Sequence, residues 1–126
     1  MTEKKPCILI AEDFEENRIA LKLILTHTGF DVVEAEDGRQ AVETVRREKP
    51  DLVLMDVTLP ALDGLQATRE IRSDEEFKQL PIIIISAHDS DEIRRQADEA
   101  GGTAYISKPV EIEELKKLIE GCLRAS

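Results

Sequence analysis

Tryptophan is absent from this chain of 126 residues, tyrosine occurs once and phenylalanine three times, so the core has to be built from aliphatic side chains. Cysteine is nearly as scarce. Cys7 and Cys122 are far apart in sequence and form no Cys-x-x-Cys pair, which argues against a disulfide framework or a thiolate zinc site and reads as two reduced, intracellular thiols. Long apolar runs are missing too. Stretches such as Cys7–Ala11 and Ile82–Ile85 are far shorter than the ~20 residues of a membrane-spanning helix, and the charged start meets Glu12 too soon for a secretory leader. A cytoplasmic protein without membrane insertion is expected. Positive charge is in deficit, with Lys+Arg 17 against Asp+Glu 27 and a formal net charge of −10. Direct contact with a nucleic-acid backbone is therefore disfavoured. No repeat, linker or low-complexity segment interrupts the chain, and its length suits one domain, residues 1–126.

What is present is a regular alternation of short apolar runs with longer amphipathic stretches, the pattern of successive βα units. Strands are predicted over Cys7–Ala11, Asp31–Ala35, Asp51–Met55, Pro81–Ile85 and Thr103–Ile106. Helices are predicted over Phe14–Thr28, Gly38–Glu48, Gly64–Ser73, from a cap at Asp89 or Ser90 to Ala100, and over Glu111–Leu123. Gly29, Pro50 and the pair Gly101-Gly102 supply the stops. The core stripe of the first helix is read as Asn17, Ala20, Leu21, Ile24 and Thr28, with Ile19 and Leu23 on the opposite side. Five such units make an α/β fold, a doubly wound five-stranded parallel sheet with five helices. Strand order 2-1-3-4-5 suits the size, and ligands then bind beyond the strand ends between strands 1 and 3. Strand 2 contributes no candidate site residue.

Each of the other strands ends on a chemically distinctive side chain. Glu12 and Asp13 follow the first, Asp56 the third, Ser86 the fourth and Lys108 the last. Parallel strands point the same way, so these residues should meet at one crevice. Three carboxylates brought within a few ångströms cannot all stay ionised without a compensating cation. Mg²⁺ fits, because it takes oxygen ligands from carboxylates, carbonyls and phosphoryl groups; Mn²⁺ is the alternative ion. A backbone carbonyl in the loop after Asp56 could add a ligand. One of the carboxylates can act as nucleophile towards a phosphoryl group, with the Ser86 hydroxyl and the Lys108 ammonium binding its oxygens.

These residues, with Asp56 inside Met55-Asp56-Val57-Thr58-Leu59-Pro60, then Asp63-Gly64, Ser86-Ala87, Tyr105 and Lys108-Pro109, resemble the receiver domain of bacterial two-component response regulators. The likeness runs from Ile8 to about Leu123 and is closest to single-domain, chemotaxis-regulator-like receivers of flavodoxin-like fold. It implies that Asp56 accepts a phosphoryl group from a phosphohistidine on a sensor histidine kinase or histidine phosphotransfer protein. It implies Asp13, Asp56 and the main-chain oxygen of Thr58 as direct metal ligands, with Glu12 acting mainly through water. Ser86 and Tyr105 would form the switch that remodels the surface of the fourth helix, last strand and last helix for a downstream protein target. Thr58 and His88 would tune the lifetime of the phosphorylated state. The resemblance further implies a cis Lys108–Pro109 bond. It offers a kinase-docking role for Ile19 and Leu23, against which stands the reading of ordinary scattered surface residues. No output domain is expected after the last helix, which leaves a stand-alone regulator or a receiver cut from a larger protein as the two readings. Self-phosphorylation and self-dephosphorylation of Asp56 would be the only chemistry, not enzymatic turnover.

Two rivals share parts of the pattern. A haloacid dehalogenase-like, metal-dependent phosphatase also uses a strand-end Asp, Mg²⁺ and Lys, but needs a second Asp as general acid where this chain has Thr58. A cofactor-binding flavodoxin-like module would need a hydroxyl- and glycine-rich loop after the first strand, and the acids from Glu12 to Glu16 would repel a cofactor phosphate.

Overall fold

In a computed structural model, residues 4–125 are described; Met1–Glu3 and Ser126, at the ends of the expected domain, lie outside them. Five strands, β1 (Cys7–Ala11), β2 (Asp31–Ala35), β3 (Leu52–Asp56), β4 (Ile82–Ser86) and β5 (Ala104–Ser107), form one parallel sheet. Their order is β2-β1-β3-β4-β5, as expected. The helices are α1 (Glu15–Thr28), α2 (Gly38–Glu48), α3 (Gly64–Arg72), α4 (Asp91–Ala100) and α5 (Ile112–Ala125). A 3-10 turn at Glu75–Phe77, not anticipated, buries Phe77 before β4.

The inner strands β1, β3 and β4 are buried on both faces because helices cover both. Leu9 and Ala11 of β1 and Ile82 and Ile84 of β4 pack with α2, α3 and α4. Their neighbours Ile8, Ile10, Ile83 and Ile85 pack with α1 and α5 through Leu21, Leu25, Leu115 and Ile119. Capping agrees with the local chemistry: Asp37 and Asp63 accept from the amides of Gln40 and Gln66, and Ser90, rather than Asp89, caps α4 by accepting from Ile93. Gly29 and Gly101 close α1 and α4 in the left-handed region, with φ of 104° and 105°, where a glycine has no Cβ to clash.

Three strands begin and end one residue later than the apolar pattern indicates. Asp51 stays exposed outside β3 and its carboxylate accepts from the Cys7 amide at 2.7 Å. Pro81 has no amide to donate, and Thr103 ties itself to Ile82 through amide and hydroxyl. The shift matters at the other end, because Asp56 and Ser86 become the last residues of their strands, paired with Ile85 and Ser107. The stripe on α1 also differs. Asn17, Ala20 and Thr28 are exposed and Ile24 half-buried, while Arg18, Leu21 and Leu25 face inward. An apolar stripe excludes an arginine, yet the Arg18 guanidinium is neutralised by acids at the end of β2 and can be buried.

Candidate functional site

The crevice lies at the carboxyl ends of β1, β3, β4 and β5. Glu12 follows β1 directly, with its amide donating to the Ala35 carbonyl of β2 at 3.1 Å. Asp56 ends β3. Its Oδ1 accepts from the Thr58 amide at 2.8 Å, a tight turn that sends the chain back towards α3. That turn needs Gly64, because a Cβ there would lie 2.0 Å from the Asp56 carbonyl oxygen. Lys108 follows β5, and its bond to Pro109 is cis.

The Lys108 ammonium sits 2.5 Å from Asp56 Oδ2 and 3.3 Å from Glu12 Oε1. Both carboxylates are buried, at 3% and 4% exposure. Two close like charges in so dry a place need a cation between them, and Lys108 supplies one from 52 residues beyond Asp56. Burial pulls the lysine towards its neutral form, but hydrogen bonding and charge from Asp56, then Glu12, outweigh it and hold its pKa above the ordinary value. Glu12 is further fixed by the Phe14 amide at 3.1 Å and the Asn17 amide group at 3.5 Å.

The expected crowding of three carboxylates takes a different form. Asp13 is exposed, and among the described residues no group of three His, Cys, Asp or Glu side chains is close enough to hold a metal by itself. Five of the roughly eight acceptor positions on Glu12 and Asp56 are used, so each carboxylate can still accept. Asp13 follows Glu12 directly in sequence and the turn after Asp56 carries main-chain carbonyls, all oxygen donors. An all-oxygen donor set with spare lone pairs fits a hard cation such as Mg²⁺, completed by water and phosphoryl oxygen. Behind these groups an apolar cleft of about 360 Å³ runs between α1 and the Lys108–Ile112 segment.

Ser86, 2% exposed, turns its hydroxyl to His88: it donates to the His88 carbonyl at 3.1 Å and accepts from the His88 amide at 3.0 Å. The Tyr105 hydroxyl donates to that same carbonyl at 2.5 Å. One main-chain oxygen thus links the serine that ends β4 to the half-buried tyrosine of β5. Arg94 of α4 lies over the Tyr105 ring, 4.4 Å from its centre, and pairs with Asp89 at 2.7 Å. Thr58 and His88 are exposed at the rim. Ile19 and Leu23, 45% and 57% exposed, stand on α1 with Phe14 at 54% as the exposed large apolar side chains among the described residues. His27 is also exposed, a ring nitrogen 2.9 Å from the Leu23 carbonyl.

Sequence reasoning missed Arg18 and Arg94. Nothing in a helical stripe marks an arginine as inward-facing; the acids Glu34 on β2 and Glu36 just beyond its end were the available signal.

The family model of the Response regulator receiver domain matches residues 8–120. The chain is 38% identical over 116 residues to protein PilH of Pseudomonas aeruginosa, covering 92% of this chain and 96% of that protein. It is 38% identical over 117 residues to response regulator MprA of Mycobacterium leprae, covering 93% of this chain but only 50% of MprA. Among solved structures, the receiver domain of sensor histidine kinase PA1611 from P. aeruginosa PAO1, with a magnesium ion coordinated in its active-site cleft, superposes with a TM-score of 0.89. It is 35% identical, with 95% of this chain and 98% of that chain covered. The five-stranded α/β architecture, the buried strand-end aspartate and its lysine therefore have a family: this chain belongs to the receiver domains of two-component response regulators, phosphoacceptor modules of signal transduction.

Proposed function

We propose that Asp56 is the phosphoacceptor and that the domain works as an Mg²⁺-dependent switch loaded by a phosphohistidine. The observation that carries this is the Lys108 ammonium 2.5 Å from a carboxylate that is only 3% exposed. An Asp56 oxygen attacks the phosphorus of the donor, the P–N bond to the donor histidine breaks, and the imidazole leaves with the electron pair. Lys108 then moves its point charge from the carboxylate to the incoming phosphoryl oxygens, where negative charge concentrates. The Thr58 amide holds Asp56 in place for the attack. Asp13, Asp56 and the main-chain oxygen of Thr58 would hold Mg²⁺ directly and Glu12 through water. The ion, or Mn²⁺ in its place, supplies charge neutralisation at the transferring group.

Ser86 exchanges its bonds to His88 for one to a phosphoryl oxygen. That exchange leaves the His88 carbonyl to Tyr105 alone, and the equilibrium between two packings of α4, β5 and α5 shifts accordingly. Thr58 and His88, at the rim, govern the access of water and so the lifetime of the phosphoaspartate. The partners are a sensor histidine kinase or histidine phosphotransfer protein, which docks on α1 through Ile19 and Leu23, and a downstream protein target. Direct binding to nucleic acid is not part of the reading, and the chemistry is self-phosphorylation and self-dephosphorylation rather than turnover. A cytoplasmic setting suits such partners; among the described residues no helix is long and apolar enough to cross a membrane. The phosphatase alternative finds no support among the relatives.

Intact mass after incubation with acetyl phosphate and Mg²⁺ tests the core of this. The wild type gains one phosphoryl group and Asp56→Asn gains none; equal gain in both would overturn the assignment. Transfer from a cognate phosphodonor protein should slow at least tenfold in the Ile19→Asp/Leu23→Asp double variant, with acetyl phosphate labelling unaltered. Undiminished transfer removes the docking role.

A further inference from the structure

The edge strand β2 holds no residue of the crevice, yet its end is wired to it through Arg18. The Arg18 side chain, 10% exposed, reaches three groups at once. Its Nη1 donates to the Glu12 main-chain carbonyl at 3.0 Å, its Nε to Glu34 Oε1 at 3.2 Å, and its Nη2 lies 3.6 Å from Glu36. Lys22 completes the set with a 3.1 Å pair to the other oxygen of Glu34. The Glu12 amide is bonded to Ala35 of the same strand. Peptide planes on both sides of Glu12 are therefore fixed from β2, one by the sheet ladder and one by the guanidinium.

Asp13 follows immediately. It is exposed, and its side chain has no hydrogen-bond or ion-pair partner among the described residues. Its direction is set by the backbone that Arg18 clamps. We infer that Arg18 is a positioning residue for cation binding, holding the Glu12-Asp13 turn so that its oxygens converge with Asp56, with Glu34 as the anchor that orients it. This rests on the Mg²⁺ site proposed above. The group is electrically balanced, two cations against two carboxylates, so its contribution is geometric rather than a net field. Only a planar fork spans Glu12 and Glu34 together; an ammonium at this position is a point donor and cannot. Residues that orient metal ligands from outside the coordination sphere commonly change affinity by about 10–100-fold when replaced.

The sign of the effect separates geometry from charge. Deleting one positive charge near three acids would, by Coulomb attraction alone, tighten Mg²⁺ binding. A positioning role demands the reverse. The full chain and its Arg18→Gln, Arg18→Lys and Glu34→Gln variants are titrated with Mg²⁺ by calorimetry, with thermal midpoints and acetyl phosphate labelling recorded alongside. Arg18→Gln should weaken Mg²⁺ binding by about tenfold, and the Mg²⁺ concentration for half-maximal labelling should rise in step, with the labelling rate at saturating Mg²⁺ within twofold of wild type. Arg18→Lys should fail to restore affinity, and Glu34→Gln should move it in the same direction. Unchanged or tighter binding in Arg18→Gln, or full recovery in Arg18→Lys, overturns the inference even if the thermal midpoint drops, because a purely structural arginine would lower only the latter. Should Arg18→Gln not fold, Arg18→Lys decides alone, because it keeps the charge and loses only the fork, and wild-type affinity there overturns the inference. A wild type that neither binds Mg²⁺ nor gains phosphoryl mass would instead refute the function proposed for the site.

Discussion

Replacing Lys108 by methionine keeps most of the side-chain volume and removes the cation that bonds to both Glu12 and Asp56. What remains is two carboxylates, 6% and 5% exposed at their side chains, facing each other without it. Breaking a fully buried pair costs about 3–5 kcal/mol, and breaking an exposed one about 0.2–1 kcal/mol. Lys108 retains 28% of its side-chain exposure, which admits some water and places the expected loss between these limits, at about 2 kcal/mol. For a domain of this size that is a fall of about 6–10 °C in thermal midpoint. The pH dependence follows from the lysine. Its pKa lies above the ordinary 10.5: burial acts to lower it, but Asp56 and then Glu12 raise it by more. A cationic group raised on folding stabilises fully below its unfolded pKa and loses that contribution as pH climbs through the folded value. The stability gap between wild type and Lys108→Met should therefore be flat from pH 7 to about 10 and close above that. Urea unfolding followed by circular dichroism across this range measures it. A variant as stable as wild type at pH 8, or a gap that grows with alkalinity, would refute the claim that the lysine is what makes two buried carboxylates tolerable.

Gly64→Ala should lose about 2–3 kcal/mol in urea unfolding, because its Cβ would meet the Asp56 carbonyl oxygen at 2.0 Å; an unchanged midpoint would show that the turn after β3 is freer than its contacts imply. Both thiols are held above the ordinary cysteine pKa, Cys122 by burial and Cys7 by burial and then by Asp51 and Asp31, so iodoacetamide at pH 8 should alkylate them more slowly than free cysteine, and equal rates would contradict this. Ser86→Thr adds a methyl that restricts χ1 beside a carbonyl shared with Tyr105. The rotamer populations of the single tyrosine, read by NMR with and without a phosphate mimic, should shift, and identical populations in both proteins would uncouple the two residues.

Local patterning left little doubt about the elements. Gly29, Pro50 and Gly101 stop helices for reasons of backbone geometry, and an isoleucine run after Pro81 is a buried strand in any context that covers both its faces. The order β2-β1-β3-β4-β5 suits four right-handed crossovers packed on one small sheet. Element ends were less legible. Whether Asp51 or Asp56 belongs to β3 depends on which of its neighbours offers a ladder partner, a property of β1 and β4 rather than of the segment itself.

Which strand-end residues gather in the crevice was legible from chain direction alone, since Glu12, Asp56, Ser86 and Lys108 each close a strand pointing the same way. How they pair there was not. Lys108 bonds to Asp56 and Glu12 from 52 and 96 residues away, and Ser86 turns to His88 because both ends of that short loop are held by β4 and Tyr105. Arg18 is the clearest case: helical periodicity assigns it to the surface, and only the juxtaposition of α1 with Glu34 and Glu36 lets a guanidinium be buried. Apolar spacing encodes which face is covered, because burial of hydrocarbon is non-directional. The placement of a charge depends on partners brought by other elements, and these exist only once the chain has closed on itself.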